Sequence, residues 1–117
     1  MKPAHIKPSI SSDLLDQIDV RVGTILSVTD VPNSERLVAL DINLGDHRRT
    51  ILAGIKRERT NAREIEGKQA LFVVNIAPKT MAGMTSEGML FDIGYLDGIT
   101  PVLAVPESAV PDGTRAG

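Results

Sequence analysis

A lysine, a serine and two glycines stand close together at Lys79, Gly83, Ser86 and Gly88. An ammonium group and a hydroxyl are donors that phosphate oxygens accept from, and glycine permits backbone conformations and close approaches closed to other residues. The stretch 78–89 that holds them joins the apolar run Leu71, Phe72, Val73, Val74 to the apolar run Met89, Leu90, Phe91. It therefore reads as a loop between two strands. Two uses fit that composition: a loop that binds a phosphate-bearing ligand, and a polar hairpin loop whose glycines and serine serve its own turns.

Other chemistries find little support. The chain has no cysteine, which excludes disulfides, thiolate nucleophiles and the usual structural zinc sites. His5 and His47 are the only imidazoles, and neither has a metal-ligand partner at close spacing. Ser86 has no neighbouring histidine and no nucleophile-elbow sequence, and the acids form no recognisable acid/base pair, so no catalysis and no cofactor are expected.

At 117 residues and 42% hydrophobic content the chain can bury one core. The expectation is an irregular arm over residues 1–14 and one small domain over 15–117. No apolar run is long enough to cross a bilayer, and residues 1–8 lack an apolar signal-peptide core, so the expected location is cytoplasmic, without membrane insertion. The net charge of −2 argues against an indiscriminate polyanion binder, but the charge is unevenly spread. Residues 13–46 hold seven acids against Arg21 and Arg36, whereas residues 47–79 hold Arg48, Arg49, Lys56, Arg57, Arg59, Arg63, Lys68 and Lys79 against Glu58, Glu64 and Glu66. That basic third is either a binding face or a solvated surface laced with ion pairs.

The elements that must position these residues follow from the apolar pattern. Ile18, Val20, Val22, Ile25 and Val28 predict a long strand with a bulge or bend near Gly23. Residues 37–44 predict a second strand, Gly45 and Asp46 a turn, and residues 49–55 a third strand whose alternation puts Arg48 and Arg49 on opposite faces. Residues 60–67 read as a short helix with Thr60 as cap and Gly67 as stop, and 11–15 as a helical turn with Ser12 as cap. Further strands are expected at 69–76, 88–94 and 101–105, with Phe72, Met89 and Phe91 in the core. Three strands, a helix, then two strands is the chain order of the all-β OB-fold, a five-stranded, partly open Greek-key barrel that binds oligonucleotides. Extra C-terminal strands follow it here.

The spacing of Asn75, Pro78, Lys79, Gly83, Ser86, Gly88 and Met89 resembles the signature loop of the tRNA-binding OB-fold family. That family includes the appended domain of methionyl-tRNA synthetases, free-standing bacterial tRNA-binding proteins and small export-related, CsaA-like chaperones. The segments 15–25, 53–56 and 110–115 resemble its opening strand, third strand and closing segment. The resemblance implies a non-catalytic protein that binds folded tRNA, with Lys79 as the basic loop position, Asn75 before it, and Ser86 with Met89 as a Ser-x-Gly-Met element. Lys56, Arg57 and Arg59 would extend a basic edge after strand three. It also implies a homodimer built partly from the C-terminal segment, with an aminoacyl-tRNA synthetase as a possible partner. Ala77, Thr80 and Ala82 stand where synthetase-type loops carry further basic residues, and Ala82 and Glu87 are closer to the chaperone branch, for which the client would be unfolded polypeptide.

Only Phe72, Phe91 and Tyr95 are aromatic, so stacking on successive bases is a poor source of affinity here. Recognition of a folded RNA through phosphates and 2′-hydroxyls suits this composition better.

Overall fold

The computed structural model of the protein describes residues 2–117; Met1, the first residue of the expected arm, lies outside them. The arm holds no helix or strand up to residue 11 and leads into a helical turn, α1 (Ser12–Leu15), capped by Ser11 rather than Ser12: the Ser11 hydroxyl accepts a hydrogen bond from the Leu14 amide at 3.2 Å. Strand β1 (Val20–Asp30) is followed by β2 (Val38–Asn43) and β3 (Arg48–Ala53) in an antiparallel meander. A 3₁₀ turn (Ala62–Ile65) leads to β4 (Gln69–Val73), which pairs on the other side of β1. Its cap is Asn61, not Thr60, because the Asn61 side chain takes the Arg63 amide. β4 then pairs with β7 (Met89–Leu90).

The sheet order is β3-β2-β1-β4-β7, and the sheet curls until its ends meet. The junction is made by side chains as much as by backbone. The Glu87 amide donates to the Thr50 carbonyl at 2.8 Å, and the Thr50 amide donates to the Glu87 carboxylate at 3.0 Å. Arg49, inward-facing as its alternation requires, donates to the carbonyls of Val74 and Glu87 across the seam. Curling buries one apolar face: Ile25, Leu40, Ile42, Ile51, Ile65 and Phe72 are fully buried together.

Two features depart from the alternation read in the sequence. The register of β1 slips between Ile25 and Ser27, so the bulge lies at Leu26, not Gly23. Glu66, just past the 3₁₀ turn, accepts from the Val28 amide at 2.8 Å, which holds its carboxyl below the usual carboxylate range. Gly23 serves another end: a Cβ there would lie 2.6 Å from the Ile42 side chain, so β1 and β2 approach closely at that point. The expected strand at 88–94 is split. Met89–Leu90 pairs with β4, whereas β8 (Asp92–Ile93) pairs with β9 (Val102–Leu103) in a separate two-stranded ribbon.

The stretch 78–89 also holds a hairpin of its own. β5 (Lys79–Met81) and β6 (Met84–Ser86) are joined by Ala82 and Gly83, both in the left-handed region, at φ 50° and 82°. That is the primed two-residue turn whose twist suits a hairpin. A last strand, β10 (Arg115–Ala116), pairs with the start of β1. No helix among the described residues is long and apolar enough to cross a membrane.

Candidate nucleic-acid interface

Outward-facing Ala39 on β2 and Leu52 on β3 form a second apolar cluster with Val31, on the opposite side of the sheet from the main core. Leu37, Met81 and Met84 pack on it. One small cluster thus roots two segments on the same surface: the β1–β2 loop (31–37) and the β5–β6 hairpin. These flank the face of strands two and three, where OB-folds take oligonucleotides.

The expected site residues divide within this frame. Lys79, at the base of the hairpin, is exposed and has no carboxylate partner among the described residues. Lys56 lies across the β1–β2 loop, with its ammonium 3.2 Å from the Ser34 carbonyl and 3.4 Å from the Asp30 carboxylate. Arg57 donates to Glu35 at 2.6 Å, and Arg59 to Glu64 at 2.8 Å. Arg59 is largely covered, and its Nε is buried without a hydrogen-bond partner. Each of the three cations of the expected basic edge thus carries an acid beside it.

Ser86 faces the fold instead of solvent, and Asn75, though exposed, spends its side chain on backbone groups. Ser86 is buried; its hydroxyl accepts from the Leu52 amide and donates to the Gly88 carbonyl, both at 2.9 Å. Gly88 is buried as well, with room for no Cβ against the Val73 carbonyl at 2.9 Å, so its small size serves barrel closure and not ligand approach. Asn75 accepts from the Asp19 amide at 2.8 Å and donates to the Gln17 carbonyl at 2.6 Å, fastening the entry of β1 to the end of β4. Met89 and Phe91, expected in the core, are about half exposed because Leu90 between them takes the inward position.

Those outward side chains line a groove of about 610 Å³ with Leu52, Ile55, Tyr95 and Leu96. Lys7 and Arg36 line it as well, as do Asp92 and Asp97. Burial raises the Asp92 carboxyl above its ordinary range, and nearby Glu58 adds to the rise. Arg36 escaped the sequence reading because it stands in the acidic stretch of the chain. Its place beside Lys56 is set by a hydrogen bond from the Lys56 amide to its carbonyl at 3.1 Å.

A family model described as "Putative tRNA binding domain" matches residues 20–115. The methionine–tRNA ligase of Parabacteroides distasonis is 35% identical over 114 residues, which take in 97% of this chain but only 16% of that enzyme. Among solved structures, the MetRS related protein from Pyrococcus horikoshii is 30% identical with a TM-score of 0.86, over 95% of this chain and 100% of that one. The chaperone CsaA from Bacillus anthracis is 27% identical with a TM-score of 0.81, over 94% of this chain and 100% of that one. With its barrel, its rooted hairpin and a match across nearly all of its length, the chain belongs to the tRNA-binding domain family.

Proposed function

We propose that the protein is a non-catalytic, cytoplasmic tRNA-binding protein that recognises folded tRNA by shape and phosphate backbone. The carrying observation is Lys79: an exposed, unneutralised ammonium on a hairpin that one apolar cluster holds against the β2–β3 face. The chain has only three aromatics, of which Phe91 and Tyr95 lie in the groove with Leu52, a composition that suits phosphate and 2′-hydroxyl contacts more than stacking of successive bases. The chain spans 16% of the length of the curated ligase it matches, so a role beside an aminoacyl-tRNA synthetase belongs to this proposal and not to the fold.

Binding measured side by side with a folded tRNA transcript, an unstructured RNA of equal length and an unfolded polypeptide tests the reading. Folded tRNA should bind tightest, with a steep salt dependence. Lys79→Ala should lower that affinity by about tenfold and flatten the salt slope by about one unit, without shifting the melting temperature. Equal tRNA binding by wild type and variant at low and moderate salt removes the hairpin from the mechanism.

A peptide-holding chaperone is the second reading, favoured by the apolar groove of Leu52, Ile55, Met89, Phe91 and Leu96. It requires that the protein suppress aggregation of an unfolded client with little effect of salt, since apolar burial is not screened.

The proposal extends to a symmetric homodimer that uses the C-terminal segment and the amino-terminal arm. Ile6, Ile10, Ile93, Leu96, Ile99 and Val102 are all exposed, and a second copy of the same surface would cover them. Sedimentation at micromolar protein should give a dimer mass; a monomer throughout removes the claim.

A further inference from the structure

The Arg36 guanidinium differs from its basic neighbours in making no ion pair among the described residues. Lys56 is matched by Asp30, Arg57 by Glu35, Arg59 by Glu64 and Arg63 by Glu66, whereas Arg36 enters no ion pair and no side-chain hydrogen bond among the described residues. Its position is nonetheless fixed. The Arg36 and Leu37 amides both donate to the Ser34 hydroxyl, and the Arg36 carbonyl accepts from the Lys56 amide. The end of the side chain lies over Gly54, where a Cβ would stand 3.3 Å from Arg36 Nη2. A bare backbone at 54 therefore gives the guanidinium space to rest beside the end of β3, exposed to solvent. Leu37, the next residue, packs on the cluster that also roots the hairpin bearing Lys79.

We propose that Arg36 is a phosphate-contacting residue of the RNA interface, and that Glu35 beside it restrains affinity by occupying Arg57. The inference rests on the tRNA reading and deepens it. A guanidinium with all its donors unused and a restricted backbone meets a phosphate with two parallel hydrogen bonds at little ordering cost. A phosphate that approaches Arg57 must first displace the Glu35 carboxylate and its repulsion remains nearby, so the gain there is small. The same loop thus supplies one open cation and one occupied one, and adjacent residues set how strongly the site attracts a polyanion.

The test is salt-dependent binding of a folded tRNA transcript by the full chain and five variants. Arg36→Ala should weaken binding by about tenfold at moderate salt and flatten the slope by about one unit. Arg36→Lys should restore the slope but only part of the affinity, because it keeps the charge and loses the paired donors. Arg57→Ala should change affinity less than Arg36→Ala does. Glu35→Gln should strengthen binding and steepen the slope, and adding Arg57→Ala to it should cancel that gain. Wild-type binding that Arg36→Ala leaves intact in affinity and slope overturns this inference while the tRNA reading stands. Absence of tRNA binding by the wild type overturns both. Tighter binding by Glu35→Gln that persists without Arg57 overturns the role given to Glu35.

Discussion

Ser86→Ala should cost about 2–4 kcal/mol of stability and leave RNA affinity nearly untouched. The hydroxyl is buried between two backbone groups, accepting from the Leu52 amide on β3 and donating to the Gly88 carbonyl beside β7. Alanine leaves a buried N–H and a buried C=O without partners, and each such group costs roughly 1–3 kcal/mol. The two groups lie on either side of the seam where the curled sheet meets itself, so the loss falls on barrel closure. Against a domain stability of about 5–15 kcal/mol that is a large fraction, and the melting temperature should fall by roughly 10 °C or more. Thermal unfolding followed by circular dichroism gives the first number, and tRNA titration well below the transition gives the second. Loss of affinity and of about one unit of salt slope, with unchanged melting, would instead put the hydroxyl on RNA. The contrast with Lys79→Ala is the point: neighbours in register across the hairpin, Lys79 and Ser86 should separate binding from stability.

That contrast also marks where the sequence ceases to be legible. The four long strands follow from alternation because the inner face of a curled sheet imposes a period of two on Val38, Leu40 and Ile42, on Ile51 and Ala53, and on Ala70 and Phe72. Alternation cannot say whether the face opposite a core is covered. Met89, Leu90 and Phe91 form one apolar run, yet only Leu90 points inward, and the outward pair reads as core in any scheme that equates apolar with buried. Nor can spacing show which cations are neutralised. Glu35 and Arg57 are 22 residues apart in the chain and in hydrogen-bonding contact in the fold, while Arg36, next to that same acid, has none. The type and place of Lys79 were readable; the solitude of Arg36 and the inward turn of Ser86 are properties of the packing between loop and strand.

Val102→Asp should convert the proposed dimer into a monomer while leaving the barrel folded. Within β9, Leu103 packs against the main core and Val102 points outward, opposite Ile93 of β8 in the ribbon register. Val102 and Ile93 are 51% and 54% exposed, so a charge at 102 meets water in the isolated chain and costs the fold little. In a symmetric interface the same carboxylate would be buried twice, once from each copy. At about 2 kcal/mol or more for each unpaired charge, the association constant should fall by at least about a thousandfold. Sedimentation checks the mass, and an unchanged melting temperature for dilute protein checks the fold. The consequence should reach RNA. A dimer presents two copies of Lys79 and Arg36 to one folded ligand, and linked contacts can add a factor of about 10²–10⁴ when both engage. The monomeric variant should therefore lose tRNA affinity and roughly half of the salt slope, although position 102 lies outside the hairpin and the basic edge. A variant that stays dimeric would place the interface elsewhere. A monomer that binds with full affinity and slope would mean that a single barrel holds the entire tRNA-binding surface.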